Sequence, residues 1–285
     1  NLQQAIAMLL VSLSIYCTFL FYKFGVKRLL FISAFLLFLS TSFFQAFPTV
    51  YISGVILFIV LFLVYNPSAD FKKILYYLVC SIGVFAVGVG LYYAVNSLIT
   101  SLVVPSGASY LDTYYVGWGK NNGFIAPLMK AFRNIAFVLL GRDVEGGMTL
   151  FMVTLLFAVL IAYMAYSKKS IKAKMLLFVF LSFLIISPFS LSIVVAMPGI
   201  VGRTYLALPL ICSAIVFLIL NIPYKHKIIS AIMCAIICFM LVENAVSMNA
   251  YFYKSYKNYQ EDKSFSQNVI QRINNEDIDY RQKEI

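Results

Sequence analysis

Eight separate apolar runs of roughly twenty residues constrain this chain more than any other feature of its sequence. A helix needs about twenty apolar residues to cross a hydrocarbon core of roughly 30 Å, and it satisfies its own backbone hydrogen bonds there. The chain is 62% hydrophobic and only 12% charged. The sequence therefore predicts an all-α, polytopic membrane protein with eight transmembrane helices, at about residues 2–22, 29–44, 49–65, 74–95, 148–167, 175–195, 206–222 and 228–250.

Basic residues cluster on alternate connections between these predicted spans. Because cytoplasmic loops are enriched in Lys and Arg, the clusters assign one face of the protein to the cytoplasm. The opposite, outer face then receives the N terminus, a loop at 96–147 and a tail at 251–285, while residues 1–250 form the transmembrane domain. An outer N terminus predicts an odd number of further spans before Asn1. The clusters hold half of the 22 basic residues: Lys23, Lys27, Arg28; Lys72, Lys73; Lys168, Lys169, Lys172, Lys174; Lys225 and Lys227.

Two outer segments have helical patterns of their own. Between residues 124 and 140, apolar side chains recur at helical spacing while Lys130, Arg133 and Asn134 share the other side. This pattern predicts an amphipathic helix along the outer membrane–water interface. The tail predicts a short, docked periplasmic helix that begins at a capping Asp262 or Ser264 and has one apolar face, made of Phe265, Val269, Ile270 and Ile273.

Several classes of function lack their sequence patterns. The glycines match no phosphate-binding loop, and His226 is the single histidine, so a cytoplasmic ATPase is excluded and no cofactor or metal site is identified. The five cysteines lie within apolar runs without metal-type spacing. Basic residues outnumber acidic residues by 22 to 11, but membrane orientation accounts for this surplus, so no nucleic-acid partner is implied.

Cations and aromatic rings of the outer segments form the candidate site. An arginine can hold the phosphate of a lipid-linked substrate through two parallel hydrogen bonds, and the candidates for this role are Arg203, Arg142 and Arg133. Aromatic faces can stack on a sugar, and a carboxylate can accept a proton from an acceptor hydroxyl. The candidates for substrate contact are Gln45, Tyr115, Trp118 and Glu243.

Simpler interpretations of three candidates remain open on the sequence alone. Arg203 precedes a predicted span and could extend to lipid headgroups. Arg142 could belong to a solvated turn with Asp143 and Glu145. Gln45 could cap the following helix instead of contacting a substrate.

Motifs along most of the chain resemble the bacterial and phage O-antigen glucosyltransferases of the serotype-converting type II family. The hairpin from Lys27 to Tyr65 carries an aromatic–Gln pair, Phe44 and Gln45, at its outer turn, as that family does. The similarity continues in four further segments, which are Asp70–Lys73, Tyr92–Tyr93, Arg203–Pro209 (RTYLALP) and Tyr256–Ile273.

The resemblance implies a polytopic glycosyltransferase of the bacterial inner membrane. Such an enzyme transfers glucose from undecaprenyl-phosphate-glucose to a sugar of the lipid-linked O-antigen repeat on the periplasmic side. Its functional partners are a donor synthase and a donor flippase. Acidic residues of the first outer loop activate the acceptor in this architecture, so the catalytic carboxylates are expected before Asn1, in a loop that could also bind a divalent metal.

Two other membrane functions and a purely structural role are the alternatives. An O-antigen polymerase would carry several arginines in one large outer loop, whereas segment 96–147 has only Arg133 and Arg142. A flippase or carrier for lipid-linked sugars would place ionisable residues deep inside its spans, and the predicted spans carry few. A structural subunit would tolerate substitution of the outer polar residues.

Overall fold

The computed structural model describes residues 2–66, 71–103, 125–142, 147–195, 205–222 and 227–275. All regular structure in these ranges is helical, as the sequence predicts. The elements are α1 (Leu2–Phe24), α2 (Arg28–Phe43), α3 (Phe47–Tyr65), α4 (Phe71–Val103), α5 (Ile125–Leu139), α6 (Gly147–Tyr166), α7 (Ile171–Ile186), a 3₁₀ turn (Ser187–Phe189), α8 (Ser190–Val195), α9 (Leu208–Leu220) and α10 (Lys227–Asn275).

Each of the eight predicted runs falls on a helix, but the count of eight spans is not confirmed. Five helical segments of the described ranges are long and apolar enough to cross a membrane: α1, α3, α4, α7 continued through α8, and 231–273 of α10. The other three runs lie on α2 of 16 residues, on α9 of 13 residues and on α6, of which the stretch Leu150–Ile161 is apolar and fully described. At 1.5 Å per residue, the 13 residues of α9 extend about 20 Å, which is less than the thickness of a hydrocarbon core.

Helix α3 lies at the centre of the described part of the chain. It contacts α1, α2, α4, α7, the 3₁₀ turn and α9. In its most apolar stretch 61% of the residues are buried, against 11–39% in the other four long segments. A polar group on such a helix cannot reach water, so its hydroxyls must find partners on neighbouring helices.

Hydroxyl groups join α3 to its neighbours. The Tyr51 hydroxyl lies 3.1 Å from the Thr18 hydroxyl of α1, which lies 2.7 Å from the Ser33 hydroxyl of α2. On the other side of α3, the Ser53 hydroxyl lies 2.8 Å from the hydroxyl of Ser187. In lipid, such bonds and close packing hold helices together, because apolar burial there drives little association. These contacts therefore fix how α1, α2, α3 and the end of α7 are arranged.

Two glycines allow the closest helix contacts. A Cβ atom on Gly88 of α4 would lie 2.9 Å from the carbonyl oxygen of Ala34 and 3.1 Å from the Cβ of Leu37 on α2. A Cβ atom on Gly54 of α3 would lie 2.5 Å from the Cδ1 of Ile15 on α1. At Gly88 a larger residue would press on the backbone of α2, whereas at Gly54 the Ile15 side chain would have to turn aside.

Helix bounds differ from the prediction in two places before the tail. The predicted span 175–195 is interrupted by the 3₁₀ turn, because Pro188 lacks the backbone N–H that an α-helix would use there. Helix α4 continues to Val103, eight residues beyond its predicted end at 95. Residues 96–103 of the predicted outer loop are therefore helical, while residues 104–124 lie outside the described ranges.

The predicted separate helix in the tail is wrong. Helix α10 runs without interruption from Lys227 to Asn275 and contains neither glycine nor proline. The Ser264 hydroxyl donates to the carbonyl of Glu261 three residues back, so it bonds within the helix and does not cap a new one. The face predicted to dock is exposed to 70% at Phe265 and 37% at Ile273, and it packs on no other described element.

We predict that Gly88→Val destabilises the protein and that Gly90→Val does not. Valine at residue 88 must push α4 away from α2, and such overpacking costs about 1–3 kcal/mol. A Cβ atom on Gly90 meets nothing within 4 Å, so this variant controls for the change in helix propensity. The midpoint of thermal unfolding in detergent measures the effect, and equal midpoints for the two variants would contradict the close approach of α2 and α4.

Candidate functional site

An apolar groove between α6, α9 and α10 is a cavity of the described residues with space for a ligand. Its volume is about 520 Å³, and it is open along one side. The cavity follows α9 from Leu208 to Leu220, a length of about 18 Å at 1.5 Å per residue. Its polar side chains are Ser213 and Asn244, and the remaining lining residues are Leu150, Val153, Leu208, Pro209, Cys212, Val216, Phe217, Leu220, Ile237, Met240 and Leu241. A hydrocarbon chain fits such a groove better than a polar solute does.

A small buried cluster, here termed the α5 anchor cluster, lies at the Leu208 end of this groove. It consists of Ile135, Val138, Leu150, Phe189 and Tyr205, so it joins α5, α6, the 3₁₀ turn and the segment that enters α9. Two of the groove's lining residues, Leu208 and Cys212, pack against it. The anchor cluster therefore fixes α5 next to one end of the groove.

Tyr205 lies close to where the chain enters α9. Its ring stands edge-on to that of Phe189, with 5.0 Å between ring centroids. Burial raises the pKa of the Tyr205 phenol, and the nearby Ser192 hydroxyl lowers it only in part. The phenol is therefore uncharged at neutral pH, so it does not repel an anion bound nearby.

The C-terminal end of α5 is closed by a turn that Gly141 permits. Gly141 has φ of +71°, the Arg142 backbone N–H donates to the carbonyl of Phe137 at 2.8 Å, and the Gly141 N–H donates to that of Val138 at 2.9 Å. This pair of bonds is the Schellman arrangement of helix ends. The Thr154 hydroxyl of α6 donates to the Leu139 carbonyl at 2.8 Å, which ties the end of α5 to α6.

Arg142 and Arg133 occupy different positions relative to the groove. Arg142 follows the end of α5 three residues after Leu139, which packs against the α5 anchor cluster. Arg133 lies about 150° around α5 from the buried face, is exposed, and its guanidinium lies 5.1 Å from the centroid of the Phe137 ring. Of the two predicted phosphate ligands, Arg142 is therefore the one that follows the end of α5 held by the α5 anchor cluster.

Gln45 lies in the turn between α2 and α3 and contacts α4. Its side-chain amide donates to the hydroxyl of Tyr92. Helix α3 has no side-chain cap at Ala46, so Gln45 does not serve as the cap that the sequence left open. The two residues belong to separate segments of the family resemblance, and the structure joins them.

Glu243 lies on α10 beside the groove. It accepts a hydrogen bond of 2.9 Å from the Ser247 hydroxyl one turn further along. Its neighbours Met240 and Asn244 line the groove. Glu243 is thus next in sequence to a residue that lines the groove, in a helix whose described apolar part carries no other acidic residue before Glu261.

Three predicted site residues, Arg203, Tyr115 and Trp118, lie outside the described residues, as do Asp143 and Glu145. Among the residues that are described, no group of three or more His, Cys, Asp or Glu side chains could hold a metal ion. Among the described candidates, Arg142 thus follows the end of α5 that packs on the α5 anchor cluster, Glu243 precedes the groove residue Asn244, Gln45 bonds Tyr92, and Arg133 lies on the exposed side of α5.

The sequence reasoning missed the groove itself. Its walls are ordinary apolar residues of three helices that are far apart in the sequence, and their pattern is the same as that of residues facing lipid. Asn244, a polar residue close to the end of an apolar run, was the one local signal.

We predict that Tyr92→Phe lowers the free energy of unfolding by about 1 kcal/mol, because the half-buried Gln45 amide loses its acceptor. Tyr93→Phe is the matched control, since the Tyr93 side chain is 65% exposed. Thermal unfolding in detergent compares the two variants. Equal stability would show that the Gln45–Tyr92 bond does not hold the turn against α4.

Comparisons of this chain with protein-family models, with curated proteins and with solved structures find no match.

Proposed function

We propose that this protein is a membrane glycosyltransferase that takes a sugar from a polyprenyl-phosphate carrier and transfers it, on the outer side of the bacterial inner membrane, to the lipid-linked O-antigen repeat. The observation that supports this most directly is the apolar groove with a cation next to one end. A polyprenyl-phosphate sugar consists of a long hydrocarbon chain, a phosphate anion and a sugar, in that order. The hydrocarbon chain suits the apolar groove, and the phosphate suits the cation. The family resemblance adds glucose as the sugar and undecaprenyl phosphate as the carrier.

The groove supplies the binding energy for the carrier chain. Each methylene group removed from water contributes about 0.8 kcal/mol, but a carrier already in the bilayer gains less, through close packing. The open side of the groove lets a chain enter sideways from the membrane, so the phosphate can stay at the surface. The exposed side chains of Phe217 and Leu241 continue the apolar lining to that open side.

Two arginines are assigned to the phosphate. Arg142 follows the end of α5 beside the groove, and it makes no ion pair with any described residue. Arg203 comes two residues before Tyr205 of the α5 anchor cluster in the sequence, and two residues of chain span at most about 7 Å. We assign both to one phosphate at the Leu208 end of the groove. Glu243 is the described carboxylate closest in sequence to the groove lining, and we assign it to substrate contact.

The described spans carry few charges, which favours transfer over transport. A flippase passes a charged headgroup through the membrane and needs ionisable groups along its path. No Asp, Glu, Lys or Arg occurs at 3–22 of α1, 47–65 of α3, 75–103 of α4 or 175–195 of α7 and α8, and Glu243 is the one such residue at 228–253 of α10. A groove that opens to one side suits a lipid that is held in place and does not cross.

We predict that Ser213→Trp raises the KM for the polyprenyl-phosphate donor. The indole would occupy the groove and exclude part of the carrier chain, so the donor loses close packing there and its KM should rise several-fold. Ser12→Trp is the matched control, because Ser12 on α1 is exposed, does not line the groove and makes the same bond to a carbonyl four residues back. Transfer of labelled sugar in membranes measures KM, and equal values for both variants would remove the groove from the donor site.

We predict that Arg203→Ala and Arg142→Ala abolish or strongly reduce transfer, with membrane insertion unchanged. Arg203→Lys should rescue poorly, because lysine cannot form the two parallel bonds to a phosphate. Arg28→Ala, at the start of α2, removes the same charge elsewhere and should leave transfer unchanged. Near-normal transfer by either of the first two variants would exclude that arginine from the donor site.

A further inference from the structure

Helix α5 presents three different faces, and only one of them packs on the protein. The packed face consists of Pro127, Ala131, Ile135 and Val138, which are buried and contact α6 and α8. A second face is apolar but exposed, to 71% at Ile125, 67% at Met129 and 48% at Phe132. The third face carries the two cations of the helix, Lys130 and Arg133, both exposed.

The orientation of these faces is fixed by the contacts at the end of the helix. The α5 anchor cluster holds the packed face, and the Thr154 hydroxyl holds the C-terminal carbonyl of Leu139. At 100° per residue, the exposed apolar face and the cationic face lie about 100° apart, and each is at least 90° from the packed face. The helix cannot roll to hide its apolar residues without leaving the anchor cluster.

The C-terminal end of α5 lies at the level where α6 begins to show apolar residues to its surroundings. Thr154, which bonds the end of α5, lies between Phe151 and Leu155, exposed to 36% and 48%. Apolar side chains at that level meet lipid, so the second face of α5 meets the edge of the same lipid layer. Lys130 and Arg133, about a quarter turn away, then reach the depth of the headgroups.

We propose that α5 is a binding surface for anionic phospholipid headgroups, with Lys130 and Arg133 as the residues that contact the phosphates. The argument depends on the geometry of α5 and not on the proposed glycosyltransferase activity. No acidic side chain among the described residues pairs with either cation, so their charge is available to the membrane. Arg133 thereby has a role that fits its position opposite the packed face.

Titration of the full chain in neutral detergent with phosphatidylglycerol tests this proposal. The midpoint of the stabilisation, followed as the rise in the melting temperature, gives an apparent affinity. Each Lys or Arg near an anionic surface contributes about 1 kcal/mol, or about fivefold. The variant K130Q/R133Q should therefore need about 25 times more phosphatidylglycerol than the wild type. The matched variant K254Q/K263Q removes two exposed charges of α10 and should titrate like the wild type.

Two further arms separate the possible ligands. Phosphatidylcholine tests for a general lipid effect, and inorganic phosphate tests for a simple anion site. An equal rise with phosphatidylcholine, an equal rise with free phosphate, or an unchanged midpoint for K130Q/R133Q would each overturn the proposal. Sugar transfer is not measured in this titration. The proposed transfer activity could therefore fail while lipid binding is observed, and lipid binding could fail while transfer is observed.

Discussion

The burial of α3 among six neighbouring elements is the constraint on which the rest of the structure depends. A helix enclosed in this way cannot satisfy its hydroxyl groups with water, so the hydroxyls of Tyr51 and Ser53 must meet partners on α1 and in the 3₁₀ turn. It also cannot make room for bulky neighbours, which is why glycine stands at residue 54, where Ile15 fills the space. Once α3 is fixed, each remaining helix has a defined side that faces lipid. The groove between α6, α9 and α10 opens on such a lipid-facing side.

Much of the fold could be predicted because the apolar runs, the turn before Pro48 and the amphipathic pattern of α5 are all local signals. Length was harder. Helix α10 was predicted to end before the tail, since Asp262 and Ser264 are good capping residues, yet no glycine or proline stops the helix. A serine hydroxyl can either cap a new helix or bond back to a carbonyl of the same helix, and the sequence does not decide between the two. In α10 the Ser264 hydroxyl bonds within the helix.

The candidate site was less accessible to sequence reasoning than the fold. The chemistry of Arg142 and Glu243 makes them candidates, but the groove is built mostly from apolar residues whose pattern is that of lipid-facing ones. Arg133 was grouped with Arg142 because both are outer cations. Helical geometry separates them, since the packed face of α5 leaves Arg133 on the far side while the Schellman turn carries Arg142 to the end of the helix. Which face of an amphipathic helix packs on protein and which meets lipid is decided by tertiary contacts.

The groove between α6, α9 and α10 has an apolar lining suited to a hydrocarbon chain, and the central proposal is that the protein transfers the sugar of a lipid-linked sugar phosphate held there. The most direct measurement is mass spectrometry with linkage analysis of O-antigen repeat units from cells with and without the gene. The account predicts an additional hexose branch on the repeat when the gene is present, and its loss with Arg203→Ala. Unchanged repeats would contradict it. An altered O-antigen chain length with unchanged repeats would indicate a polymerase, and no change in either would indicate a transport or structural protein.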